Sequence, residues 1–301
     1  WRLLSGDARF IMSNVKRSEI LKLARRYIKF PLLDSWSFLL IQLSMHAPII
    51  LLTAFFSPAI GGLYTKALYL LQLPSRIIGQ SVGQVFLQES AASKAEGKNL
   101  AGLVEAVVNR MITLGTLPFA ILVIIGPELF DIILGARWKE AGVYAQILMP
   151  QLFIVFLLGS IMTLFGTLGK QELNLITIAL NLILRLAALI YGGLILRDVR
   201  LTLFIFMVAN VIIGLWRTSL LMRATKLAAR RPLAHFFRCV VYVVPSIIPI
   251  AAMKWWFGLE AVYLVALTPV FSIPYVFIVL RHDLELRNLF LKYLRKARSL
   301  F

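Results

Sequence analysis

The sequence predicts an all-α polytopic membrane protein with about eight transmembrane helices, and three observations carry that prediction. Of the 301 residues, 60% are apolar and only 15% charged, with a mean hydropathy of +0.84; a soluble domain is nearer half apolar and a quarter charged. Apolar runs of about 20 residues, each able to cross ~30 Å of hydrocarbon at about 1.5 Å per residue, recur along the chain. Lysine and arginine, finally, are segregated to one side of those runs.

Residues 1–30 are polar and basic and read as a cytoplasmic amphipathic linker. The chain opens on Trp1 and has no signal peptide, so a natural start further upstream is expected. A six-helix transmembrane lobe then spans 31–221, with apolar segments at roughly 32–56, 61–86, 105–126, 142–168, 172–196 and 200–220. A basic cytoplasmic loop, 222–238, leads to two additional transmembrane helices within 239–281, apolar at roughly 239–256 and 258–280. A basic cytoplasmic tail occupies 282–301. The helix-breaking pairs Ser57-Pro58, Gly126-Pro127, Leu168-Gly169 and Arg231-Pro232 set the limits, and Pro245 and Pro249 interrupt the seventh segment.

With these spans, 24 of the 32 lysines and arginines fall on one side and five on the other, while Lys66, Arg76 and Arg185 lie inside spans. The positive-inside rule puts both ends in the cytoplasm. The net charge of +18 would suggest nucleic acid in a soluble protein. Here it is flanking charge that anionic headgroups attract by about 1 kcal/mol per residue, so the partner is membrane lipid and not nucleic acid. The loops opposite are all short. Cys239 is the single cysteine and excludes an intrachain disulfide. His46, His235 and His282 are scattered, and no metal-ligand spacing, glycine-rich phosphate loop or GxSxG occurs. No metal, cofactor or catalytic group is expected.

Polar residues inside the spans carry the functional signal. In the second span Gln72, Arg76, Gln80, Gln84 and Gln88 recur every fourth residue, a face that drifts by only about 40° per step. Gly79 and Gly83 lie beside it, and Pro74 precedes it. The first span carries Ser35, Gln42, His46 and Thr53 on one stripe, and the fifth carries Asn174, Thr177, Asn181 and Arg185 on another. Three helices with one polar face each suit a water-filled cavity between them. Arg76 and Arg185 sit near the middle of their spans, where a lipid-facing arginine costs roughly 2.5–3.5 kcal/mol on insertion scales. They therefore face a cavity or ligand, or bond to carbonyls or to Asp34. Lys66 and Asp34 are close enough to the ends to snorkel. His46 is either a hydrogen-bonded packing residue or a protonatable group, and Ser160, Thr163 and Thr167 read as packing. Guanidinium forks match phosphate oxygens bidentately, so the pattern points to an anionic solute bearing hydroxyls and away from a cationic drug.

Two stretches resemble a known family. They are IGGLYTKALYLLQLPSRIIGQSVGQVFLQESA, residues 60–91, and GPELFDIILGARWKEAGVYAQILMPQLF, residues 126–153, followed by the helix ending in GTLGKQEL. The G-x-Y start, the proline-bearing second span and the spacing of Gly135, Trp138 and Ala141 are similar to the second half of Wzx-type O-antigen and capsule flippases of the multidrug/oligosaccharidyl-lipid/polysaccharide (MOP) exporter superfamily. The resemblance implies the C-terminal lobe of a two-lobe transporter plus two extra helices, in a bacterial inner membrane. It implies alternating access, with undecaprenyl-diphosphate-linked oligosaccharide as substrate and polysaccharide polymerase or assembly proteins as further partners. On that reading Arg76 and Arg185 would pair with the diphosphate, and Gln72, Gln80, Gln84, Asn181, Gln42 and His46 would bond sugar hydroxyls. Asp34 or His46 would couple an ion. The alternatives are another MOP-type exporter, for lipid II or a drug against a cation, a membrane polysaccharide polymerase or ligase, and a noncatalytic assembly partner. Trp138, beside Arg137 and Lys139, is expected to anchor at the headgroup level.

Overall fold

The computed structural model describes residues 29–74, 100–159, 161–162 and 164–282, together with 86, 88 and 90. Among them the chain is helical and contains no strand. The principal helices are α1 (Lys29–Phe55), α2 (Pro58–Pro74), α3 (Leu100–Leu134), α4 (Lys139–Gly159), α5 (Gln171–Tyr191), α6 (Val199–Ala224), α7 (Arg230–Trp255) and α8 (Ala261–His282). Seven of the described helical stretches are long and apolar enough to cross a membrane. The described part of the second predicted span, α2, is 17 residues long. The protein is an all-α, multi-pass membrane protein.

Local chemistry accounts for several helix ends. Pro58 opens α2, where its missing N–H is an orphan donor anyway, and the Ser57 hydroxyl accepts from the Ile60 amide at 3.3 Å. Asp198 caps α6 by accepting from the Leu201 amide at 2.7 Å. Gly135 stops α3 with φ at +94°, a backbone conformation open to glycine and little else. The short 3-10 turn Ala136–Trp138 follows. Trp138 packs against the core, with the Lys66 ammonium 5.5 Å and the Arg137 guanidinium 5.3 Å from its ring centre.

Three of the expected breaks turn out differently. Gly126-Pro127 bends α3 without ending it: the helix runs on to Leu134, with Ile125 at φ −114°, ψ 22°. A bend survives there because neighbouring helices take up the freed carbonyls. Gln146 of α4 donates to the Val123 carbonyl at 2.6 Å, and Lys254 of α7 donates to that of Ile124 at 2.6 Å. Arg231-Pro232 lies in the first turn of α7, a position that tolerates proline, so the loop before this helix is shorter than predicted. Pro245 and Pro249 sit inside the continuous α7. The fourth span, conversely, ends as a long helix at Gly159 and resumes only as a one-turn helix, Leu164–Thr167.

Helix α4 is the centre of the bundle. More than half of its apolar window is buried, 56% against 11–28% for the other six spans, and it packs on α2, α3 and α6. Helix α5 lies between α1 and α6, while α7 and α8 pair with each other and lie against α3. Lipid tails are as apolar as leucine, so close packing and hydrogen bonds hold such helices together. Gly142 shows the tightness: a Cβ there would stand 2.5 Å from Pro127 Cα and 2.6 Å from the Gly126 carbonyl oxygen. Two core clusters stack along the bundle. One runs through Leu52, Tyr64, Phe130, Tyr144, Leu189 and Phe206. The other gathers the start of α3, the end of α4, the end of α6 and the start of α7 around Val104, Leu158, Leu221 and Cys239.

Candidate functional site

Five helices, α1, α2, α4, α5 and α6, enclose a cavity of about 280 Å³. Each contributes polar lining: Asn181 and Arg185 from α5, Asn210 and Arg217 from α6, Tyr64 and Gln72 from α2, Ser44 from α1 and Gln151 from α4. Asn210, Gly214 and Arg217 fall on one face of α6, as Tyr64, Leu68 and Gln72 do on α2.

Arg185 donates through Nη1 to the Ser44 hydroxyl at 2.7 Å and to the Ser44 carbonyl at 3.0 Å. Its guanidinium lies 5.1 Å from the centre of the Phe206 ring. Arg217 donates through Nη2 to Asn174 Oδ1 at 3.1 Å and lies 6.0 Å from the Phe165 ring centre. The Nε atoms of both arginines are buried without a hydrogen-bond partner, as is Gln151 Oε1. Among the described residues no carboxylate lines the cavity. The ion pairs among the described residues, Arg200–Glu140, Arg231–Glu105 and Lys254–Glu128, involve neither arginine. Two permanent cations thus share one cavity at membrane depth, and their partners among the described residues are neutral or aromatic. That arrangement attracts an anion and offers amides and hydroxyls to whatever the anion carries.

Of the residues singled out in the sequence, Arg185, Asn181 and Gln72 come together here. Asn174 and Thr177 of the same α5 stripe support them: Asn174 accepts from Arg217, and Thr177 is buried and donates to the Asn174 carbonyl at 2.8 Å. Gln42 and His46 lie on the exposed side of α1 and do not line the cavity. The side of α1 that turns inward carries Ser37 and Ser44. Arg76, Gln80 and Gln84 lie outside the described residues, as do the side chain of Asp34, Ser160 and Thr163. Gln88 is exposed. In the sequence alone Arg217 groups with the basic flank of the sixth span. Helix α6 continues to Ala224, which leaves Arg217 two turns inside. The signal was present in the shared face of Asn210, Gly214 and Arg217.

No curated protein and no solved structure matches the chain. Residues 10–143, a little under half of the sequence, match a family model described as "Polysaccharide biosynthesis protein", and this similarity supports a membrane protein of polysaccharide biosynthesis.

Proposed function

We propose that the protein is a flippase that moves undecaprenyl-diphosphate-linked oligosaccharide across a bacterial inner membrane by alternating access, and not an enzyme. The observation that carries this reading is the pair Arg185 and Arg217 on one cavity inside the bundle whose described lining holds no carboxylate. The two guanidiniums would take the diphosphate, with Asn181, Asn210 and Gln72 on the adjoining sugar and the lipid tail left in the bilayer. At about 280 Å³ the cavity is just below the ~300–1,000 Å³ usual for small-molecule sites, a size for the phosphates and the first sugar. The similarity to polysaccharide biosynthesis proteins over residues 10–143 supports the same substrate class. A cation-coupled drug exporter would call for acidic groups in the cavity, and none of the described residues that line it is acidic.

The test is the double variant Arg185→Ala, Arg217→Ala in the full-length protein, in the host whose surface polysaccharide depends on it. Lipid-linked repeat units accumulate on the cytoplasmic leaflet and surface polysaccharide falls at least tenfold, while Arg185→Lys loses less. Unchanged surface polysaccharide at equal membrane levels of the protein overturns the assignment.

A further inference from the structure

A second cleft, of about 540 Å³, opens between α3, α7 and α8 and shares no lining residue with the first. It is lined by Arg110 and Asn109 of α3, His235, Arg238 and Tyr242 of α7, and His282 of α8. Among the described residues no carboxylate lines it. Its position is near the starts of α3 and α7 and the end of α8, at one end of the bundle and within reach of the headgroup layer.

Hydrogen bonds fix its floor. The Thr113 hydroxyl, whose own helix supplies Asn109, bonds His235 Nε2 at 2.9 Å and contacts Cys239 Sγ at 3.8 Å. Tyr275 of α8 donates its hydroxyl to the Thr113 carbonyl at 2.7 Å. The His282 ring stacks on Tyr242, with centres 5.4 Å apart and planes within 14°. All three helices are therefore tied at the same level, and the imidazoles are held in place. Asn109 Oδ1 is buried there without a hydrogen-bond partner, an acceptor waiting for a donor. Arg238 is exposed at the rim and takes part in no ion pair among the described residues.

We propose that this cleft is a second binding site, for a phosphate group, held between Arg110 and Arg238 with His235 and His282 beside it. Asn109 accepts a hydrogen bond from a hydroxyl of the same ligand. The phosphate is either the diester of an anionic lipid headgroup or a free phosphate from water; both present the oxygens that arginine forks and imidazole N–H groups bind. Because α7 and α8 lie on the outside of α3, the cleft is reached from the side of the bundle without passing through the cavity of Arg185 and Arg217.

The experiment uses the purified full chain. Native mass spectrometry from nanodiscs of phosphatidylcholine containing one-tenth phosphatidylglycerol measures retained lipid, and radiolabelled inorganic phosphate measures binding in detergent. A lipid site retains phosphatidylglycerol and ignores inorganic phosphate, whereas a solute site binds inorganic phosphate and retains no phosphatidylglycerol. In both cases Arg110→Gln with Arg238→Gln weakens binding at least tenfold, and Arg137→Gln with Lys139→Gln, in the turn between α3 and α4, changes nothing. Arg238→Gln alone alters an exposed side chain and leaves the fold intact, and it weakens binding severalfold. The proposal is overturned if the wild type binds neither probe, or if the Arg238 variant and the double variant bind as the wild type does.

Discussion

The Gln146 amide of α4 donates to the Val123 carbonyl of α3 at 2.6 Å, the acceptor that Pro127, four residues further on, has no N–H to serve. The bend at Ile125 is thereby completed by another helix. Gln146→Leu keeps the volume and removes the donor. Interhelical hydrogen bonds in membranes average about 0.6 kcal/mol and reach about 1.7, and this one satisfies a carbonyl that nothing in α3 can. Thermal unfolding in detergent is expected to show a loss of roughly 1 kcal/mol, and equal stability of variant and wild type would mean that the carbonyl is satisfied some other way.

Lys254 holds the same bend from the opposite side, bonding the Ile124 carbonyl at 2.6 Å and the Glu128 carboxylate at 2.9 Å. The two side chains are only 19% and 15% exposed. Removing one partner from a largely buried pair leaves the other charge uncompensated and is expected to be worse than removing both. Lys254→Met should therefore lower the melting temperature more than Lys254→Met combined with Glu128→Gln. Additive losses in the double-mutant cycle would show that the pair is not coupled.

Much of this was readable in the sequence, because apolar runs and period-four polar stripes are properties of single helices. The α5 stripe through Asn181 and Arg185 is one such property, and it reaches the cavity. What a single helix does not encode is how its neighbours sit. Helix α1 has polar residues on two sides, Gln42 and His46 on one and Ser37 and Ser44 on the other, and only packing against α5 decides which turns inward. Gly126-Pro127 has the composition of a break, yet Gln146 and Lys254, which rescue it, come from two other helices. Arg217 looks like flanking charge until the length of α6 is known.

Gly142 and Gly62 separate close packing from mere glycine content. A Cβ at Gly142 would collide with backbone atoms of Gly126 and Pro127, which cannot rotate away, whereas one at Gly62 meets nothing within 4 Å. Overpacking of this kind costs about 1–3 kcal/mol. Gly142→Ala is expected to cut membrane yield and melting temperature together, and Gly62→Ala to leave both unchanged. Equal behaviour of the two variants would contradict the close approach of α4 to the bend in α3.

The charge of the main cavity can be measured without knowing its substrate. The chain has a single cysteine, so Cys239→Ala gives a background in which Asn181→Cys places one thiol on the cavity wall. Ile183→Cys places one on the outer side of the same helix, where the isoleucine is 61% exposed and faces lipid. Only a water-filled cavity lets charged methanethiosulfonates reach the first thiol, so Ile183→Cys should remain unlabelled. Arg185 and Arg217 add a preference of sign: a focused potential of a few kT draws in the anionic sulfonatoethyl reagent and repels the trimethylammonium one. The ratio of their labelling rates at Asn181→Cys, normalised to free thiol, is expected to exceed tenfold in favour of the anion. Replacing both arginines by glutamine should bring it close to one. A ratio near one with both arginines in place would mean that their charge is neutralised from within the protein, and the cavity would then have no demand for a phosphate.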